Sequence, residues 1–388
     1  MRTLIGLLLC VNALAQPSQH WVATWGTAQQ LYRSGAAPVA RATPPNPPDP
    51  ARRFGIPPAL ASLNNQTVKM IARASIGGHR VRVRLESALG GGSVVFGAAH
   101  IGLVSGPERA LTFSGKPSAT LYAGATLVSD PVDLELPALA NVAVSLYVPG
   151  EVKNPTSHTF ALHTTTISKE GEPDMTRESY YWLAGIDVLA PANEGAIVTF
   201  GDSITDGDQS TPGTDGPWPS ILAARLKGRM GVVNAGISGN RLLGDNGSGL
   251  ARLYHDALRQ PGIRWMTILE GINDITGGVA SADPLIAAYR QAIETAHLYG
   301  VKVAGCTLTP FGGSRVFNDE REAIRQAVND WIRNGGAFDA VIDFDKVLRD
   351  TVDPKRFRSE ADSPDNLHPA NPGYKMMGDA IDLKIFTR

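Results

Sequence analysis

From Glu194 onward the chain alternates between short apolar runs and longer stretches of helical periodicity. The apolar runs fall at 195–200, 231–235, 264–270, 301–308 and 340–344, and the helical patterns at about 217–229, 250–260, 284–299, 318–334 and 371–385. Strands separated by helices cannot pair as hairpins. They pair in parallel, with crossover helices covering both faces of the sheet. The clearest helix is the fourth, where Ile324, Ala327, Val328, Trp331 and Ile332 recur on one face and Gly335-Gly336 ends the pattern.

The preceding residues have another texture. From Gln66 to about Tyr181 the pattern is period two, broken by Gly and Pro. In "HRVRVRL", Val81, Val83 and Leu85 take one face of a strand and Arg80, Arg82 and Arg84 the other. "SVVFGAAHIGLV" (93–104) and "NVAVSLYVPG" (141–150) are further strands. Many short strands with hardly any helical period indicate a β-sandwich. The proline-rich segment 36–58 reads as a loop or extended strap. The expected layout is thus a β-sandwich domain over 16–190 and an α/β domain over 191–388.

Arg2, the apolar stretch Thr3–Val11 and Ala13-Leu14-Ala15 make residues 1–15 a secretory signal peptide, and the expected location is secreted or periplasmic. Without that segment Cys306 is the one remaining cysteine, which excludes an intramolecular disulfide; within "VKVAGCTL" it reads as a buried structural thiol. A net charge of −1 over 388 residues gives no footprint for nucleic acid, and no other run is long and apolar enough to span a membrane.

Four segments gather at the expected carboxyl ends of strands, where α/β proteins place their chemistry. "GDSITDG" presents Ser203, "NAGISGNR" presents Gly239, "EGINDI" presents Asn273, and "DNLHPANPGY" presents Asp365 and His368 just before the last helix. A serine hydroxyl is protonated at neutral pH and needs a base, for which imidazole is suited. Asp365, three residues before His368, can orient that base through a tight turn. The amides of Ser203 and Gly239 and the carboxamide of Asn273 are candidate oxyanion donors.

On these residues the sequence resembles the SGNH (GDSL) hydrolases, esterases and lipases with a flavodoxin-like α/β fold. The resemblance covers roughly 195–388, with "FGDSITDG", "SGN", "GIND" and the Asp365–His368 "DNLHP" block in order. It implies a three-layer sandwich of about five parallel strands, with Ser203 as nucleophile, Asp365 and His368 completing the triad, and Ser203, Gly239 and Asn273 as the oxyanion hole. It also implies a carboxylic ester hydrolase without a cofactor or metal.

Other groups have simpler readings. Asp202 and Asp206 are turn-amide acceptors before they are metal ligands. Asp274 anchors its own loop, and Asp343 and Asp345 sit at a solvated strand end. Arg241 contacts substrate or forms an ion pair. His158 and His163, five apart on a strand, point to opposite faces; His255 and His297 lie in helices. Trp21 and Trp25 are packing anchors or a sugar-stacking platform, with packing favoured. No P-loop, zinc spacing or dinucleotide glycine pattern occurs, and no Gly-x-Ser-x-Gly marks an α/β-hydrolase.

The expected function is a secreted serine esterase acting on short-chain acyl esters, plausibly deacetylating carbohydrate. The alternatives are a carbohydrate-binding protein with a silent hydrolase fold, and an acyltransferase using the same residues.

Overall fold

A computed structural model describes residues 18–30, 60–88, 92–245 and 247–387. The signal-peptide segment 1–15 and the proline-rich segment 36–58 lie outside the described residues. Among the described residues no helix is long and apolar enough to cross a membrane.

The second half is the expected parallel sheet. Its five strands, in chain order, are Ala196–Gly201, Gly231–Gly236, Ile263–Leu269, Lys302–Cys306 and Ala340–Ile342. They lie side by side in the order second, first, third, fourth, fifth, with every pairing parallel. This is the flavodoxin-like order, whose first strand sits at the topological switch point. Every residue of Ala196–Gly201 is buried, as a strand covered on both faces requires.

The helix Asp319–Asn334 begins on Asn318, whose side chain accepts from the Arg321 amide at 2.8 Å, and it carries Asp319, Glu320 and Glu322 in its first turn. Its buried stripe is Glu322, Arg325, Val328, Asn329 and Ile332. Val328 and Ile332 are as expected, but Ile324 and Trp331 lie at the flank. The difference is electrostatic. Arg325 is buried because Glu322 and Asp345 accept from it, each at 2.7 Å. Asp343 and Asp345 are therefore not a solvated strand end. They close a network with Arg333, at 2.8 and 2.6 Å, and Asp345 is fully buried.

The first half forms two antiparallel sheets around one apolar core. One holds Gln19–Gly26, Leu183–Pro191, Gly78–Glu86, Val132–Leu136 and Thr126–Val128. The other is built on Gln66–Arg73, Asn141–Val148 and Ala98–Leu103. The stretch 93–104 is two strands rather than one, because it bends at Gly97, where a β-carbon would lie 2.8 Å from the Tyr147 ring.

Val81, Val83 and Leu85 fill the core as expected. The arginines opposite them do not all face solvent. Arg82 and Arg84 donate to the buried Asp187 at 2.9 and 3.0 Å, and Arg84 also reaches Gln260 in the second half at 2.6 Å. This sheet packs its outer face against the α/β half. Ser75 Oγ accepts from the Val232 amide at 2.7 Å, and the Ala23 amide donates to the Pro261 carbonyl at 2.9 Å. Gly231 permits the approach, since a β-carbon there would stand 2.1 Å from the Ala23 carbonyl oxygen.

Candidate active site

The first strand ends at Gly201 and the chain turns at once into the short helix Ser203–Asp206. Asp202 caps it, accepting from the Ile204 amide at 2.9 Å. Gly207 closes it with φ of 110°, a left-handed conformation that suits glycine, and donates to the Ser203 carbonyl at 2.9 Å. The turn leaves Ser203 at the strand's carboxyl end, only 5% exposed.

The last segment meets it there. His368 Nε2 lies 2.8 Å from Ser203 Oγ, and His368 Nδ1 lies 2.7 Å from Asp365 Oδ2. The other oxygen of Asp365 accepts from the amides of Leu367 and His368 at 2.9 and 3.0 Å and from Ser363 Oγ at 2.8 Å. Burial works to raise the Asp365 carboxyl, but the hydrogen bond and charge of His368 with these amides hold it well below the usual carboxylate range. The carboxylate both shapes the turn and orients the imidazole.

Gly239 sits on the loop after the second strand, and Asn273 in the short helix Ile272–Thr276 after the third. Gly239 has φ of +78°, and a β-carbon there would meet nothing within 4 Å, so its backbone borders open space. Asn273 Nδ2 donates to the Asn240 carbonyl at 2.9 Å. A carboxamide has two N–H groups, and this bond uses one. Among the described residues, no acceptor takes the amide hydrogens of Ser203 or Gly239.

Beneath these loops lies a feature that the sequence reading did not single out. Arg252 is buried with its ring of donors spread over three strand ends: the carbonyls of Gly201 and Ala235, each at 2.8 Å, and Glu270 Oε1 at 2.9 Å. It also holds Asn240 Oδ1 at 2.7 Å and stands 4.0 Å above the Phe200 ring. A lone arginine inside a helical pattern carries no sign of this.

Carboxyls surround it. Burial pushes Glu270 up to about 8 against the charge of Arg252, and pushes Asp202 up to about 7 against the Ile204 amide. Asp274 is also raised, by burial. Asp274 reaches beyond its own loop: it accepts from the Leu242 and Leu243 amides, both at 2.9 Å, and so pins the glycine loop.

Asp202 and Asp206 are hydrogen-bond acceptors with separate partners. Asp206 Oδ2 takes both the amide and the hydroxyl of Ser238 at 3.0 Å, and its Oδ1 lies 3.0 Å from His158 Nε2. His158 and His163 do not diverge. The strand Ser157–His158 is two residues long, and the chain then turns so that both rings line one cavity between the halves, of about 90 Å³. His163 there meets Asp215 at 3.2 Å. Asp208 Oδ2 stands 3.8 Å from His368 Nε2, a further acid at the site beyond those expected.

Trp21 lies under Arg82, and Trp25 packs edge-on to Tyr180 with 4.7 Å between centroids, so both serve as packing groups. Cys306 is buried, which pushes its thiol up. His255 and His297 pair with Asp256 and Asp339 at 2.6 and 2.8 Å.

Residues 199–376 match the model of the GDSL-like lipase/acylhydrolase family. The chain carries a GDSL-like lipase/acylhydrolase domain. Among solved structures, it is similar to a putative lipolytic protein of the G-D-S-L family from Desulfitobacterium hafniense DCB-2, with 21% identity over 48% of this chain and 97% of that one and a TM-score of 0.39. A putative acylhydrolase from Bacteroides fragilis NCTC 9343 is 19% identical over 50% of this chain and 87% of that one, TM-score 0.40. Est24, a carbohydrate acetylesterase from Sinorhizobium meliloti, is 14% identical over 50% and 99%, TM-score 0.40. A search among curated proteins gives no match. The GDSL-like domain spans the parallel sheet from its first strand to the last helix, so all four loop segments fall inside it.

Proposed function

We propose that the protein is a serine esterase that hydrolyses small acyl esters, with acetylated carbohydrate as its substrate class. The observation that carries the reading is the relay from Ser203 Oγ to His368 Nε2 at 2.8 Å and from His368 Nδ1 to Asp365 Oδ2 at 2.7 Å.

In this reading Ser203 Oγ attacks the acyl carbon while its proton passes to His368 Nε2. Asp365 stabilises the imidazolium that forms. The oxyanion is met by the amides of Ser203 and Gly239 and by the second N–H of Asn273. Collapse breaks the bond to the alcohol, which leaves with the proton from Nε2. Water then repeats the sequence on the acyl-enzyme, releasing the acid and restoring the serine. The near-burial of Ser203 suits a small acyl group, and the Asp208 carboxylate beside His368 suits a neutral ester over an anionic one.

The test is a panel of acyl esters, from nitrophenyl acetate through longer chains to acetylated xylan, run with wild type and Ser203→Ala. The reading expects the best turnover on acetyl esters, including the polysaccharide, and none with the variant. A folded Ser203→Ala that turns over at the wild-type rate overturns it, and a preference for long chains overturns the substrate assignment.

A further inference from the structure

One buried contact joins the β-rich half to the short helix Ser203–Asp206, and through it to the loop that presents Gly239. His158 Nδ1 lies 2.8 Å from the Ala28 carbonyl and Nε2 lies 3.0 Å from Asp206 Oδ1. A carbonyl only accepts, so Nδ1 carries a proton, and Nε2 faces the Asp206 carboxyl. His158 is thus held at both ring nitrogens, between the Ala28 carbonyl and Asp206, with both side chains 4% exposed. Burial disfavours the charged ring, but the Asp206 charge and hydrogen bond outweigh it and raise His158 above its ordinary value. Tyr180 lies along the ring at 6.5 Å, braced edge-on by Trp25.

Asp206 passes this anchoring on. Its second oxygen accepts from both the amide and the hydroxyl of Ser238, the residue before Gly239. Asp206 also belongs to the helix that begins with Ser203. One carboxylate therefore fixes the separation between nucleophile and glycine loop, and a histidine from the other half fixes the carboxylate.

We propose that His158 is a positioning residue for the oxyanion loop, acting through Asp206 and Ser238 to hold the Gly239 amide in register with Ser203. The inference rests on the serine-esterase reading. It makes the β-rich half a part of the catalytic apparatus, even though His158 touches no reacting atom. Asp206 without its His158 partner would turn toward water and release Ser238, and a small displacement of an oxyanion donor is felt in the transition state more than in the bound substrate.

The experiment compares His158→Gln, Ser203→Ala and wild type on nitrophenyl acetate, with folding followed by circular dichroism. Asp206→Asn breaks the same chain from the other side and nearly keeps the shape, so it answers the question if His158→Gln does not fold. The expected result is a loss of about 10- to 100-fold in kcat with KM held within about twofold. The double variant His158→Gln/Ser238→Ala should lose less than the product of the two single losses, because both act through Asp206. Wild-type kcat in a folded His158→Gln or Asp206→Asn, with Ser203→Ala inactive, overturns this inference alone. An active Ser203→Ala removes the serine reading and this one with it.

Discussion

Asn273 Nδ2 donates to the Asn240 carbonyl at 2.9 Å, so the short helix after the third strand is tied to the glycine loop after the second. The bond uses one of the two carboxamide N–H groups, and in the proposed mechanism the other meets the oxyanion. Asn273→Ala should therefore lower kcat by about 10²–10³ with little change in KM. Steady-state kinetics on nitrophenyl acetate check this. A variant with kcat intact and only a lowered melting temperature would make Asn273 a loop tie and nothing more.

Asp365 accepts from His368 Nδ1 with one oxygen and from two amides and Ser363 with the other. In Asp365→Asn the amides keep Oδ1, and the new NH₂ faces Nδ1. That favours the tautomer with hydrogen on Nε2, which cannot take the serine proton. The expected loss in kcat is about 10³–10⁴-fold, with the turn preserved. Activity within a few-fold of wild type would remove Asp365 from the orienting role. Because its carboxyl is held low, the stability it contributes is present above the ordinary carboxylate range and is lost as pH falls through its lowered value.

The site was legible in the sequence where its parts are local. Asp365 and His368 are three residues apart, and Ser203 stands in the Gly201-Asp202-Ser203 turn that ends an apolar run, so spacing made them candidates and the resemblance gave them their roles. The parallel strands were legible because burial on both faces demands unbroken apolar runs. Contacts between the halves were not. His158 and Asp206 are 48 residues apart, and neither lies in a pattern that names the other. The burial of Arg84 and Arg252 could not be read because periodicity registers the charge and not the partner that lets it be buried; Asp187 lies on another strand and Glu270 just past the end of one. The helical pattern at 250–260 gave no warning that its last turns widen into a π-helix over Leu253–Leu258.

Glu270 is a buried acid raised to about 8. Between the ordinary carboxylate value and that point the folded state holds more protons than the unfolded one, so this group makes stability fall as pH rises. Glu270→Gln keeps an oxygen for Arg252 and removes the titration. Its melting temperature relative to wild type should climb from pH 5 to about pH 8. Parallel curves over that range would mean that Arg252 keeps Glu270 ionised throughout.

Gly231→Ala places a β-carbon 2.1 Å from the Ala23 carbonyl oxygen, where the N-terminal strand packs against the parallel sheet. Backbone must move, at a cost of about 1–3 kcal/mol. Urea denaturation should show the midpoint lowered by a corresponding amount. An unchanged midpoint would contradict the close packing of the two halves.

The central claim is that Ser203 is a nucleophile activated by His368, and covalent labelling tests it most directly. Treated with a fluorophosphonate, the protein should gain one adduct per chain, located on Ser203 by peptide mass spectrometry. His368→Ala should label far more slowly, and the wild-type rate should fall about tenfold per pH unit on the acid side as the base takes up its proton. No adduct on the folded protein, or an adduct on another serine, would contradict the account.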